Sequence, residues 1–451
     1  MTAHSLPVHV PLVTQPLGLW GSLTAARRNI LSIIPEIATR QPMVSGKTGK
    51  RWHMVMDPDA LKQVLLEKLD DYPKSDVTKN LLRPAIGESL FVAEGAHWRW
   101  QRRAAAPAFS HRNVSNLAPI MSKAAENACR RITNAGPHAI DIHDEMVRAT
   151  FEVISDVTFS GDDGFDRDAT HRAIDNYIDQ TARISLLDML GAPDWVPRPD
   201  RIFAGRAVKQ MKAVADRAIQ TRKTRPQSGI PDLLDLLLSG QDPETKRTMN
   251  TAELRDNLLT FIVAGHETTA LTLAWALYLC AFDQTIQSQA RAEAQAALGS
   301  LSPATADDLP ALPLIRRIVD ESLRLYPPAA LLSRTAQRAD TLGGREIRSG
   351  DTVILPIYAL HRNHLLWDSP DTFAPDRFMD RKTIRRFSYL PFGDGPRICI
   401  GASFALQEAV IILASLLARF RFTPVPCRTP SPVMILTLRP KGGVWLRADP
   451  V

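Results

Sequence analysis

The sequence predicts a mainly α-helical protein with small β-sheets, folded as a single large domain over residues 1–451, and three observations predict it. Apolar residues recur at helical spacing over 58–69, 97–108, 114–135, 142–160, 168–190, 201–223 and 231–239. Strand-like alternation is confined to short pieces, "KTGKRWHMVMDP" (47–58) and "TLGGREIRSGDTVILP" (341–356). The segment 251–282 carries apolar residues on every face, among them Leu258, Phe261, Leu271, Trp275 and Leu277, and predicts a buried central helix.

In chain order, a Pro-rich entry to about residue 16 precedes an amphipathic helix over 17–40. Residues 47–58 form a hairpin turned by Thr48, Gly49 and Lys50. The proline-dense "GAPDWVPRP" (191–199) is a loop, and "PQSGIPD" (226–232) is the best candidate break, reading as a surface loop. Asn250 and Glu253 cap the central helix, which at 1.5 Å per residue spans about 45 Å. A helix at 311–325, the β-rich piece, an irregular stretch and a final apolar helix at 400–419 complete the chain.

With 45% hydrophobic and 23% charged residues, the 451-residue chain has ordinary globular composition and ample length for a large core. Length alone suggests roughly three domains, but no Gly/Ser tract, repeat or low-complexity block divides it. The net charge of +7 invites an acidic partner, yet the cations are dispersed and accompany no recognition motif, which excludes nucleic acid. Cys129, Cys280, Cys399 and Cys427 are scattered, with no C-x-x-C pair, as expected in a reducing compartment. The N-terminus lacks signal-peptide blocks, and no run of about 18 apolar residues escapes a charge, so no membrane span is expected. A cytoplasmic monomer is the expectation.

Polar residues interrupt the central helix at "IVAGHETTALTLAW" (262–275). "HETTA" begins like the zinc motif H-E-x-x-H, but position 270 is alanine, and the zinc reading fails. The second informative segment is "LPFGDGPRICIG" (390–401), where glycines allow the backbone to fold tightly around Cys399. Cys399 then precedes a helix N-terminus, which favours a thiolate. Such a thiolate serves as a nucleophile, a redox sensor or a metal ligand. A nucleophile wants a histidine base and an oxyanion donor, and neither is identifiable. Zinc wants several more ligands. A haem iron needs only one ligand from this side, and a thiolate donates electron density that favours O–O cleavage. Arg397 is placed to pair with a haem carboxylate and Phe392 to cover the sulfur's flank. An inert cysteine in a glycine-rich turn is the alternative.

"FGDGPRICIG" resembles the haem-binding loop F-G-x-G-x-R-x-C-x-G of the cytochrome P-450 haem-thiolate monooxygenases, with Gly401 as its closing glycine. "AGHETT" (264–269) is similar to the family's oxygen-activation helix, "ESLR" (321–324) to E-x-x-R, "PDRF" (375–378) to its partner motif, and "WRWQR" (98–102) to the W-x-x-x-R helix. The resemblance covers nearly the whole chain. It implies a P-450 fold with haem b (iron protoporphyrin IX) between the long central helix and the cysteine loop, and Cys399 as the metal ligand. It implies that Ala264 and Gly265 leave room over the iron. Thr268 would open a local kink and donate a hydrogen bond to the oxygen being activated, and Glu267 would link the site to solvent protons. A structural ion pair or back-bond is the alternative for Glu267 and Thr268. His266 reads as a packing or network residue. Glu321 and Arg324, with Arg377, would hold the cysteine loop, while Trp98, Arg102 and Arg334 would anchor haem propionates. Each of these three is otherwise a surface arginine or a core tryptophan.

Haem needs two electrons from outside. The chain carries no flavin or nicotinamide domain, and its cysteines cannot also hold an iron–sulfur cluster. A separate acidic ferredoxin with its reductase is therefore expected, docking on Arg102, Arg103, Arg112, Arg381, Lys382, Arg385 and Arg386. Family spacing places Leu81, Leu82, Ile86, Leu90, Leu187, Leu190, Phe261, Ala264, Ala330 and Leu331 around the substrate, which favours a hydrophobic small molecule: a fatty acid, terpenoid, steroid or aromatic hydrocarbon. "WRWQRR" and "HRN…PDRF" look somewhat like bacterial fatty-acid hydroxylases. The expected reaction is O2-dependent hydroxylation. The alternatives are a peroxide-driven peroxygenase or isomerase on the same scaffold, and a non-catalytic haem sensor.

Overall fold

The longest helix closes its own N-terminus. Asn250 Oδ1 accepts from the Glu253 amide at 2.9 Å and Glu253 Oε2 from the Asn250 amide at 3.0 Å, so two donors that the helix cannot bond internally are satisfied. From this cap, residues 251–282 are helical without interruption, as the sequence predicts. Leu258, Leu271, Leu273, Trp275 and Leu277 are all wholly buried.

The computed structural model describes residues 7–15, 17–159, 205–224, 231–299, 302–434 and 436–451. Its main helices are α1 (Leu19–Arg28), α2 (Asp76–Ile86), α3 (Gly95–Ala105), α4 (Ala118–Ala135), α5 (Ile142–Phe159), α6 (Gly205–Thr224), α7 (Leu233–Leu238), α8 (Thr251–Phe282), α9 (Gln284–Leu298), α10 (Pro313–Leu325) and α11 (Ala402–Arg419). The strands are β1 (Met43–Thr48), β2 (Lys50–Val55), β3 (Ile140–Asp141), β4 (Leu332–Thr335), β5 (Asp340–Leu342), β6 (Arg345–Ile347), β7 (Thr352–Leu355), β8 (Phe420–Pro424), β9 (Ser431–Met434), β10 (Leu438–Lys441) and β11 (Trp445–Pro450). The predicted helix at 168–190, the loop at 191–199, Leu187, Leu190 and most of 226–232 lie outside the described residues, as does the side chain of Leu81.

The chain builds two compact units. The first comprises Met1–Pro73, Met121–Ala149 and Thr268–Val451, and the second Lys74–Ile120 and Thr150–Glu267. In the first, β1 and β2 form the predicted hairpin, with Thr48 paired to Lys50 across Gly49 at φ +74°. β2 continues in parallel to β7, which pairs antiparallel with β4, giving the order β1-β2-β7-β4. A second sheet runs β3-β11-β8, and β5 with β6 and β9 with β10 make two small ribbons. α9 and α10 pack on α11. α11 is long and apolar enough to cross a membrane by length and composition, but 72% of it is buried inside the protein.

The sequence misplaces some elements. The helix expected over 17–40 ends at Arg28, because Asn29 turns extended (φ −161°) and its side chain accepts the Leu31 amide, starting separate short turns before and after Pro35. α9 escapes the apolar pattern because the residues it buries are Gln287, Ala290 and Ala294. Its start is nevertheless marked by Asp283, whose carboxylate accepts the amides of Thr285 and Ile286, both at 3.0 Å.

The C-terminal half of α8 is anchored by Trp275. Its ring stacks on Tyr326 at 3.9 Å and 10°, and its Nε1 donates to the Leu438 carbonyl at 3.2 Å. Tyr326 in turn donates to the Val8 carbonyl at 2.7 Å. Trp275→Ala should destabilise the protein by about 3–5 kcal/mol, through the cavity and the lost stacking, measured as a lowered chemical-denaturation midpoint.

Candidate functional site

The loop 390–401 closes on itself through its backbone. The Cys399 amide donates to the Phe392 carbonyl at 2.9 Å, Gly393 to Leu390 at 3.1 Å and Ile398 to Gly395 at 3.1 Å. Gly393 and Gly395 sit at φ +70° and +72°, where other residues are strained. A Cβ on Gly395 would also lie 2.3 Å from the Leu65 carbonyl oxygen. Asp394 fixes the turn by accepting from the Gly395 amide at 2.5 Å and from Arg386 at 2.9 Å. Gly401 is the N-cap of α11, and Cys399 is exposed.

Behind the loop lies a buried ion network. Arg324 is wholly buried and uses every guanidinium donor. Nε reaches Glu321 Oε2 at 2.6 Å. Nη1 reaches the carbonyls of His361 and Pro370 at 2.8 and 2.6 Å. Nη2 reaches Glu321 Oε1 at 2.8 Å and the Thr372 carbonyl at 3.0 Å. Glu321 Oε1 also accepts from the Ala374 amide at 2.9 Å and from Arg377 Nε at 3.3 Å. Arg377 is thus the third member that the sequence predicts.

His361 joins this network to the cysteine loop, and the sequence reading missed it. The Leu390 amide donates to His361 Nε2 at 2.9 Å, so Nε2 carries no proton, and Nδ1–H donates to the Arg324 carbonyl at 3.1 Å. Burial, reinforced by the Arg324 charge, pushes the imidazole pKa down to about 3. The signal was present in "HRN" beside E-x-x-R and the cysteine loop, but only the fold shows that an imidazole spans them. Another unread carboxyl is Glu408 of α11. Burial raises its pKa well above the usual range, partly offset by a hydrogen bond with Thr269.

On α8, Ala264 is exposed and Gly265 and Thr268 are half-buried, whereas His266, Glu267 and Thr269 are buried. Positions 264 and 268 lie on one face. The space beside Gly265 is not open: a Cβ there would lie 3.3 Å from Ile154 Cδ1, so this glycine serves the approach of α5. His266 packs edge-on to Phe151 at 5.8 Å, and its Nδ1 bonds the Ile262 carbonyl at 3.0 Å. Its own carbonyl accepts from Thr150 at 2.7 Å. The packing reading of His266 fits these bonds. Thr272 donates to the Thr268 carbonyl at 2.9 Å, within the continuous helix Thr251–Phe282.

The remaining predicted residues divide between the units. Thr268, Arg334, Phe392, Arg397, Cys399 and Gly401 belong to the first, and Trp98, Arg102, Ala264 and Glu267 to the second. Arg334 is buried on β4, donating to the Ser333 carbonyl at 3.1 Å. Trp98 is buried and Arg102 half-buried on α3. The predicted basic surface is weaker than its residue count. Arg103 pairs with buried Asp242 at 2.6 Å, Arg385 with Asp59 at 2.9 Å, Arg386 with Asp394 at 2.9 Å, and Arg381 with Asp320.

The donor set suits haem. A porphyrin brings four nitrogens and asks for an axial ligand, and Cys399 presents a single sulfur from a rigid loop. Among the described residues no cluster of three or more His, Cys, Asp or Glu side chains could hold a bare metal ion.

Comparison with known proteins agrees. Residues 11–447 match the family model described as Cytochrome P450. The chain is 32% identical over 429 residues to cyclooctatin synthase of Streptomyces melanosporofaciens, covering 94% of this chain and 93% of that one. It is 32% identical over 433 residues to that organism's cyclooctat-9-en-7-ol 5-monooxygenase, covering 95% and 91%. It is 31% identical to a cytokinin hydroxylase of Arabidopsis thaliana, covering 93% and 85%. Its fold matches the crystal structure of the cytochrome P450DA heme domain with a TM-score of 0.81 and 27% identity, covering 91% of this chain and 90% of that one.

Two outcomes follow from the loop and its support. Cys399→Ser should abolish the thiolate-type carbon monoxide difference spectrum of the purified pigment; an unchanged spectrum would remove Cys399 as ligand. For His361, the unfolded imidazole takes a proton below about 6.5 while the folded one resists until about 3, so stability present at neutral pH is lost as pH falls through that window. Between pH 7.5 and 5.5 the wild type should therefore lose about 1.4 kcal/mol more than His361→Gln, read from denaturant unfolding.

Proposed function

We propose a reaction for this chain, which belongs to the cytochrome P450 family and is a haem monooxygenase: hydroxylation of a lipophilic small molecule, using O2 and two electrons from a separate acidic ferredoxin and its reductase. The observation that carries the proposal is the pairing of one rigidly looped, exposed cysteine with a retained acid–threonine pair on the central helix. The haem is read as haem b, because no C-x-x-C-H attachment motif accompanies it. When bound, it supplies the activation of O2 and the insertion of one oxygen atom.

The chain's own residues do the rest. Cys399 would supply the sulfur that holds the iron, and the backbone bonds of its loop fix it in place. Phe392 flanks it, and Gly401 lets α11 begin directly after it. Arg397, Arg334, Arg102 and Trp98 would each hold the group's carboxylates, the roles that the family resemblance gives them. Ala264 keeps side-chain bulk off the exposed face of α8. Thr268 donates a hydrogen bond on that face, and Glu267 passes protons toward it. Preference for a monooxygenase over a peroxide-driven enzyme rests on this intact acid–threonine pair.

The substrate class is read from side chains. Leu82, Ile86, Leu90 and Phe261 are apolar and buried, and Ala330 and Leu331 add no polar group. Fatty acids, terpenoids, steroids and aromatic hydrocarbons fit such a lining. The relatives named for cyclooctatin and cyclooctat-9-en-7-ol support a lipophilic substrate. For the electron donor, the exposed stretch from Arg381 to Arg386 is the proposed docking segment, although its arginines are already partly neutralised by Asp59, Asp320 and Asp394. The scattered cysteines support a cytoplasmic location, and a monomer is proposed.

In holoenzyme driven by a ferredoxin and its reductase, Thr268→Ala should lower product formed per electron consumed by roughly 10-fold or more, in keeping with loss of a positioned proton donor. Unchanged coupling would remove Thr268 from the mechanism. Peroxide-driven turnover equal to the donor-driven rate would reassign the chain as a peroxygenase.

A further inference from the structure

Two fully buried amides in the second unit have no part in the reaction described above. Asn257 of α8 and Gln101 of α3 are both 0% exposed. Asn257 Oδ1 accepts from the Leu90 amide at 2.9 Å. Asn257 Nδ2 donates to Gln101 Oε1 at 2.7 Å and to the Glu253 carbonyl at 2.8 Å. Gln101 Nε2 lies 2.9 Å from the Glu88 carbonyl, to which it donates, and 2.8 Å from His97 Nε2.

Backbone groups at both ends dictate which way each amide points. Leu90 N–H can only donate, so Asn257 must turn its oxygen toward it and its nitrogen toward Gln101. Glu88 C=O can only accept, so Gln101 must turn its nitrogen there and offer its oxygen to Asn257. The relay leaves and re-enters the same short loop, replacing a hydrogen bond that this stretch of backbone cannot make for itself. Flipping either amide would place oxygen against oxygen in a buried site, where an unmatched polar group costs about 1–3 kcal/mol.

The same loop begins in close contact with α8. Gly87 ends α2 at φ +53°, and a Cβ there would lie 1.9 Å from Asp256 Oδ2, the residue preceding Asn257. Arg255 holds the Asp256 carboxylate at 3.2 Å. Of two successive residues of α8, Asp256 therefore leaves no room for a side chain at position 87 and Asn257 bonds the backbone at position 90. The loop itself is short: the amides of Val92 and Ala93 both donate to the Ser89 carbonyl, at 2.9 and 2.8 Å.

We infer that Asn257 and Gln101 are positioning residues for substrate selectivity: their oriented amide relay sets the place of the 87–92 loop, and with it Leu90 and the end of α2 that carries Leu82 and Ile86. The inference rests on the reading that these three side chains line the substrate site. Its chemical consequence is a firm wall. A relay with one permitted orientation gives the loop one permitted register, so rigid and flexible lipophilic ligands meet different costs.

The test uses holoenzyme and two probes, dodecanoic acid and progesterone, with spectral dissociation constants measured for each. Asn257→Leu should change the ratio of the two constants by roughly 10-fold while pigment content and the carbon monoxide difference spectrum stay unchanged. Amide exchange at Leu90 should accelerate by a similar factor. Should Asn257→Leu fail to accumulate as holoprotein, Gln101→Met breaks the relay at its other amide and is held to the same outcome. Leu90→Phe tests the underlying reading separately. If Leu90→Phe shifts the ratio and the relay variants do not, the relay inference is overturned and the site reading stands. If Leu90→Phe leaves the ratio unmoved, the loop does not line the site and both fall.

Discussion

The placement of Cys399 depends on an interaction the sulfur never makes: the buried pairing of Glu321 with Arg324. Two opposite charges without solvent are costly unless every donor and acceptor is matched. Here they are matched, and the matching specifies geometry. Arg324 spends its donors on carbonyls at 361, 370 and 372, and Glu321 spends its second oxygen on the amide of Ala374 and on Arg377. A stretch with little regular secondary structure is thereby given a single path. His361 carries that order from the network to Leu390, where the cysteine loop begins. Removing one partner would strand a charge, so the network contributes uniqueness more than net stability.

Much of this was legible in the sequence, and the reasons are physical. A helix buried over most of its surface must be apolar over most of it, which makes 251–282 legible to its ends, and its Asn250/Glu253 cap is local chemistry. The hairpin at Gly49 and the tight turns at Gly393 and Gly395 follow from φ values that glycine alone adopts cheaply. E-x-x-R was readable because the two residues share a helix face. What stayed hidden is non-local or apolar-poor. α9 buries alanine and glutamine, α2 carries Pro84 inside it, and β11 pairs Trp445 with Asp141 of β3, far away in the chain. His361 has no periodic signature. Its role exists only because Arg324 and Leu390 are brought to either side of it.

The polar residues of the central helix show how one motif can serve several masters. Gly265 makes room for Ile154, His266 is absorbed by Phe151, Thr150 and its own helix, and Ala264 and Thr268 keep the exposed face. A motif read as a single functional string therefore separates into packing residues and surface residues that alternate around the helix axis. The same separation appears in "WRWQRR", where Gln101 is wholly buried and Arg103 is held by Asp242.

The pairing of β2 with β7 aligns Trp52 with Thr352, across three hundred residues of chain. Such remote pairing carries a large loop-closure cost and favours slow folding. As the chain emerges during synthesis, the hairpin of β1 and β2 must wait for β7 before its sheet can be completed. Until β7 arrives, the β2 edge of that hairpin is unpaired, an open strand of the kind that invites association with other chains.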